Sequence, residues 1–104
     1  MIKSEISKIT AKILIDIGAI NFSPQSPFKL SSGFLSPSYI DCRKIIAYPS
    51  AFKEITDMMI DTIKSEMVAQ SPDYIIGGET AGIPFAAAIA EKMGLPLSLS
   101  LIHI

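Results

Sequence analysis

The chain has 104 residues, of which 49% are hydrophobic, with 9 basic and 10 acidic side chains and a formal net charge of -1. That length limits it to one small domain, which buries only about two thirds of its unfolded surface, and the apolar content excludes a disordered chain and predicts that some apolar surface serves an interface. The charges are mixed without runs, which excludes the basic field of a nucleic-acid binder or of a protein held on an anionic membrane, so the expected partners are small molecules or protein.

Ile2, Ile6, Ile9, Ile13 and Ile17, with Leu14 beside them, fall on one helical stripe. Lys3, Glu5, Lys8, Lys12 and Asp16 face the other way, and Gly18 supplies the stop. These early charges predict that neither a signal peptide nor a membrane span is present. Ala19 to Phe22 then leads into a loop punctuated by Pro24 and Pro27. Two extended stretches, Phe28 to Ser31 and Ser38 to Cys42, flank a turn with Ser32-Gly33 and Ser36-Pro37, which predicts one β-hairpin with a longer loop.

A second helix starts near Pro49 or Ser50. Its buried stripe is expected at Phe52, Ile55, Met59, Ile63 and Met67, widened by Thr56 and Ile60, with the methionines at 58, 59 and 67 filling gaps in the core. After a turn at Gln70 to Asp73, Tyr74 to Ile76 reads as a short buried strand. A third helix runs from Ile83 to Met93, with Pro84 in its first turn, small alanines for close packing and Gly94 as a left-handed exit. Leu95-Pro96-Leu97 starts the next strand, which continues in strict alternation through Leu101. Helix, strand, helix, strand in this order argues for an α/β fold with a parallel sheet and right-handed crossovers. The expected organisation is an N-terminal helix and hairpin over residues 1–47 and an α/β core over 48–104.

Two stretches are candidates for chemistry, the first set against the plainer interpretation of a solvated hairpin. The hairpin gathers the hydroxyls of Ser31, Ser32, Ser36 and Ser38, the Tyr39 ring, and charges at Lys29, Asp41 and Arg43. Arg43 could read a carboxylate or phosphate through its planar fork, or pair with Asp41. The second stretch is Gly77-Gly78-Glu79-Thr80-Ala81-Gly82-Ile83-Pro84, between a strand and a helix. Its glycines permit a tight turn and close ligand approach, and the free amides of the helix start attract an anion. The competing interpretation is a plain turn in which Thr80 or the Glu79 carboxylate caps those amides. Cys42 is the sole cysteine, so no intrachain disulfide or thiolate cluster can form, which fits a reducing cytoplasm. His103 is alone near the end and poorly placed for acid-base work.

In this order, Phe28-Lys29-Leu30-Ser31-Ser32-Gly33, Ser36-Pro37 with Tyr39-Ile40-Asp41-Cys42-Arg43, the glycine stretch 77–84, and Gly94-Leu95-Pro96-Leu97 resemble the N-terminal half of the orotate phosphoribosyltransferase family, of the type I phosphoribosyltransferases. The first is similar to the family's hood and the second to its pyrophosphate loop; the similarity covers roughly residues 2 to 97. Many members place lysine where Ser31 and Ala81 stand. A subset resembles this chain in writing Gly-Glu-Thr-Ala-Gly-Ile-Pro. The family's later basic loop and its acidic pair before a Thr/Gly turn are not in this stretch, and residues 98–104 depart from its pattern.

The resemblance implies transfer of ribose 5-phosphate from phosphoribosyl pyrophosphate (PRPP) to orotate, giving orotidine 5′-phosphate and pyrophosphate in pyrimidine (UMP) biosynthesis, with Mg2+ bound by the donor and a cytoplasmic homodimer. It implies orotate binding by Ser31, Ser32, Gly33, Tyr39, Ile40 and Arg43, the Tyr39 and Ile40 backbone reading the ring. It implies PRPP or pyrophosphate binding by Gly78, Glu79, Thr80, Ala81 and Gly82, with a cis peptide expected in that loop. No catalytic side chain and no protein metal ligand are assigned within this stretch. The alternatives are a non-catalytic phosphate- or nucleotide-binding module, or a fragment without independent function.

Overall fold

A computed structural model describes residues 2–100. His103 and the end of the last strand lie outside the described residues. The chain divides into two units, the first Ile2–Ala51 and the second from Phe52 onward.

In the first unit, α1 spans Lys3–Asp16. The predicted stripe is the less exposed face, with Ile6, Ile9, Ile13, Leu14 and Ile17 half-buried. The helix ends in a Schellman motif: Gly18 takes φ +72°, its amide donates to Ile15 O (3.1 Å), and the Ala19 amide donates to Leu14 O (2.9 Å). Lys44 Nζ adds a bond to Gly18 O (3.1 Å).

The single expected hairpin is instead two ladders. β2 (Phe28–Lys29) pairs antiparallel with β3 (Leu35–Ser36), closed by a loop in which Gly33 takes φ +91°. β1 (Ile20–Phe22), expected only to lead into a loop, pairs antiparallel with β4 (Ser38–Ile40). The exchange of partners falls at Pro37. Its carbonyl accepts the Ser23 amide (2.7 Å), but proline has no N–H to return, so the β1–β4 ladder stops there. The Phe28 and Tyr39 rings meet at 5.9 Å between centroids. A 3₁₀ segment at Cys42–Ala47, not foreseen from sequence, follows with Asp41 as its cap.

α2 (Pro49–Glu66) carries the helix into the second unit. Ile55, Thr56, Met58 and Ile60 are buried there, while Met59, expected in the core, is 41% exposed. The buried face is thus rotated toward Met58, because the covering groups lie against the Ile55 and Thr56 side of the helix. Phe52 packs on Phe85 of α3 (Ile83–Met93), ring centroids 5.3 Å apart. Lys92 of α3 reaches across to α2, donating to Thr56 Oγ1 (3.1 Å) and Asp57 Oδ1 (2.9 Å), while Lys53 Nζ holds Asp57 Oδ2 (2.9 Å).

β5 (Ile75–Gly78) and β6 (Leu97–Ser100) pair in parallel, Ile75 beside Leu97 and Gly78 beside Ser100, with α3 as the crossover between them. The β5 run starts one residue later than expected, and Tyr74 and Ile76 are exposed rather than buried. With two strands among the described residues, one face of the sheet packs on α3 and the other has no layer over it. Gly94 exits α3 at φ +68°, its amide donating to Glu91 O and that of Leu95 to Ala90 O. No helix of the described residues is long and apolar enough to cross a membrane.

The close seating of α3 on β5 requires Gly77. A Cβ there would lie 2.8 Å from Ala86 Cβ and 3.3 Å from Ile83 Cα, whereas one on Gly78 would meet nothing within 4 Å. Gly77→Ala should therefore cost about 1–3 kcal/mol in urea denaturation, and Gly78→Ala should stay within about 0.5 kcal/mol of wild type; equal effects would refute the packing constraint.

Asp57 provides a second check. Its carboxyl is held below the ordinary value of 3.8 by the hydrogen bond from Lys92 first and Lys53 second. A depressed carboxylate contributes stability that is present above the ordinary value and lost as pH falls through the folded-state value. The urea midpoints of wild type and Asp57→Asn should differ at neutral pH and converge under acid.

Candidate functional site

The hood lies in the first unit. The β1–β4 register makes Ala19:Asp41, Asn21:Tyr39 and Ser23:Pro37 the hydrogen-bonding pairs, anchored by Asp41 N to Ala19 O (2.8 Å) and Ser23 N to Pro37 O. Alternation then turns Tyr39's own N–H and C=O toward β1, and those of Ser38 and Ile40 toward the opposite edge. Ser38 meets Ser36 there: Ser36 Oγ donates to Ser38 O (2.8 Å) and accepts from Ser38 N (3.3 Å). The backbone of Ile40 is left on an edge with no paired strand among the described residues. Ser31, Ser32 and Gly33 are exposed at the β2–β3 loop, where the Gly33 amide donates to Leu30 O (2.8 Å).

Arg43 does pair with Asp41. Its Nε donates to Asp41 Oδ1 (3.1 Å), and the same oxygen accepts the Arg43 amide (3.2 Å). The guanidinium holds the Asp41 carboxyl below the usual carboxylate range, helped by the Arg43 amide and Lys44. Asp41, with the Tyr39 phenol second, raises Arg43 above its ordinary value. Sequence reasoning treated Asp41 only as a possible pair partner and missed that it caps the 3₁₀ segment as well. The Asp-x-Arg spacing after an extended run is the signal that could have shown it.

The glycine turn lies in the second unit. The Glu79 amide donates to Ser100 O (3.1 Å), which continues the β5–β6 ladder, and the Gly82 amide donates to Gly78 O (3.1 Å). Ile83 N donates to Thr80 O (3.2 Å). Two of the amides expected to face an anion, those of Glu79 and Gly82, are therefore used within the fold. Those of Thr80 and Ala81 have no partner among the described residues. Gly82, not Thr80, is the N-cap of α3, and no side chain caps that end, so the plain capped turn is not what forms. Gly82 is also close-packed, since a Cβ on it would lie 3.0 Å from Gly78 O. The Glu79–Thr80 peptide is cis. Glu79 is exposed and is the one carboxylate of the turn.

An apolar groove of about 550 Å³ lies elsewhere in this unit, lined by Ile63, Met67, Val68, Pro72, Met93 and Leu95. Pro72 and Leu95 precede β5 and β6, so the groove sits where the strands begin. The glycine turn lies beyond the carboxyl end of β5, the usual ligand side of a parallel sheet.

Among curated proteins, the chain is 49% identical over 96 residues to an orotate phosphoribosyltransferase of Cereibacter sphaeroides, a match covering 92% of this chain and 41% of the relative. The chain matches the N-terminal portion of orotate phosphoribosyltransferases. Among solved structures, the Aeropyrum pernix orotate phosphoribosyltransferase superposes with a TM-score of 0.72 at 32% identity, over 86% of this chain and 51% of that one. An adenine phosphoribosyltransferase from Saccharomyces cerevisiae, 22% identical, superposes at 0.63 over 88% of this chain and 52% of that one, which shows the shared fold alone. No family model matches. The chain spans about two fifths of the length of the curated orotate phosphoribosyltransferases it matches. Its α/β architecture, with N-terminal helix and hairpin strands, is similar to that of type I phosphoribosyltransferases.

If the open side of Gly78 is where a ligand approaches, bulk there should obstruct binding without unfolding the turn. Gly78→Val should lower affinity for magnesium pyrophosphate at least about tenfold, read by isothermal titration, while far-UV circular dichroism is unchanged.

Proposed function

We propose that this chain is the N-terminal part of an orotate phosphoribosyltransferase, which transfers ribose 5-phosphate from PRPP to the ring nitrogen of orotate, giving orotidine 5′-phosphate and pyrophosphate for UMP synthesis. The observation that carries this reading is the 96-residue match, which by its length must run through both the hood and the glycine turn. The geometry of the turn supports it, with the Thr80 and Ala81 amides left without partners among the described residues at an uncapped helix start.

The reaction needs positioning and stabilisation of a departing polyanion rather than a covalent nucleophile. In this reading the Thr80 and Ala81 amides hold diphosphate oxygens, and Gly78 admits them without a Cβ. Gly82 shapes the turn by closing onto Gly78, and Glu79 would hold the metal or its waters. Ser31 and Ser32 donate hydroxyls to ligand oxygens, Gly33 keeps the loop open beside them, and Arg43 offers its fork to the acid. The Ile40 backbone edge reads the pyrimidine, while Tyr39 contributes its ring.

Among the described residues no group of three or more His, Cys, Asp or Glu side chains is placed to hold a metal ion. The residues fit a magnesium ion that arrives on the diphosphate and meets one carboxylate, Glu79. When bound, it supplies neutralisation of the leaving group. A cytoplasmic homodimer is part of the same proposal, supported by the exposed apolar side chains and by the single free cysteine.

The test is a titration of the 15N-labelled chain with orotate and, separately, with magnesium pyrophosphate. Orotate should shift the amide resonances of Ser32, Gly33 and Ile40, and magnesium pyrophosphate those of Thr80 and Ala81. Resonances unmoved by millimolar ligand at both sets would overturn the reading.

A further inference from the structure

Arg43 is held by a two-bond clamp on one oxygen. Asp41 Oδ1 accepts both its backbone amide (3.2 Å) and its Nε (3.1 Å). The clamp has a firm base, because the Asp41 amide donates to the carbonyl of fully buried Ala19 (2.8 Å). Asp41 itself is mostly covered while Arg43 stays open, with side-chain exposures of 22% and 66%. The rest of the guanidinium lies by the Tyr39 phenol, and the Tyr39 ring packs on Phe28 at 5.9 Å. Lys44, which also acts on the Asp41 carboxyl, donates to Gly18 O (3.1 Å).

A guanidinium with Nε already occupied still presents its outer N–H groups beside the Tyr39 phenol, the planar edge that reads a carboxylate, and the adjoining Phe28 and Tyr39 rings, tilted 40° to each other, add apolar surface. An unheld arginine would lose several rotatable bonds on binding; a clamped one has lost them already.

We propose that Asp41 is a positioning residue that aims Arg43 at the carboxylate of an acidic aromatic ring, so that the hood selects a carboxylated pyrimidine over its uncharged analogue. This rests on the orotate reading above and adds to it the source of the preference for the acid. Asp41 lies on the Nε side of the guanidinium, so its charge is directed away from the incoming carboxylate.

The experiment compares orotate with uracil, which lacks the carboxylate, binding to the full chain by NMR titration for wild type, Asp41→Ser, Asp41→Asn and Arg43→Ala. Serine keeps an oxygen to cap the 3₁₀ segment but is too short to hold Nε, and asparagine keeps a neutral acceptor for both. Asp41→Ser should weaken orotate binding about three- to tenfold, Asp41→Asn less, and Arg43→Ala at least about tenfold, with uracil affinity unchanged throughout. Equal losses for orotate and uracil would reduce Asp41 to a structural role and overturn the proposal. Wild-type orotate affinity in Asp41→Ser would overturn it too, while leaving the orotate reading intact. If the wild-type chain binds neither compound at millimolar concentration, the orotate reading falls and this proposal with it.

Discussion

The contact on which the second unit depends is the one between Gly77 and Ala86. With no Cβ at 77, α3 lies directly on β5, closer than any larger pair would allow. That closeness sets how the chain must travel from strand to helix. Five residues make the turn, the Gly82 amide closes it onto Gly78 O, and a Cβ on Gly82 would crowd the Gly78 backbone, 3.0 Å from where it would stand. The amides of Thr80 and Ala81 are left over once ladder and turn have taken theirs. The two amides proposed to hold an anion are thus a product of packing and hydrogen-bond bookkeeping, with no positively charged side chain in the turn.

The hood obeys a different constraint, which is the strand alternation set by one register. Because Asp41 and Ser23 sit in hydrogen-bonding pairs, Tyr39 is tied inward and Ile40 is presented outward. Pro37 ends that ladder by withholding a donor, and the serine that ends β3, Ser36, satisfies both outward groups of Ser38. Among the described residues of the β4 edge, Ile40 alone keeps both backbone groups unspent. A sixteen-residue stretch of hydroxyls and charges is in this way reduced to a few groups with defined directions.

The helices were legible because their signals are local. The isoleucine stripe of α1, the alanine-rich α3 and the exits at Gly18 and Gly94 follow from helical spacing and from the need for a left-handed residue past each helix end. The parallel pairing of β5 with β6 followed from element order. Pairing inside the hood did not, since residues 20–22 and 28–29 offer equally short extended runs, and which of them meets Ser38–Ile40 depends on contacts across about twenty residues of chain. That Met59 is exposed while its neighbour Met58 is buried, although both were expected in the core, has the same origin. Both are apolar neighbours on one helix, and only the position of the packing partners chooses between them.

For the glycine turn, the sequence by itself determined that a strand would break into a helix through residues without side-chain bulk, and that the stretch resembles a pyrophosphate loop. Tertiary structure decided which amides remain available: the Glu79 amide goes to Ser100, a residue whose place in the sheet no local pattern around Glu79 can encode. It likewise decided that Arg43 is clamped rather than free. Composition and periodicity are properties of neighbours along the chain, whereas a hydrogen-bond inventory closes only when distant segments have met.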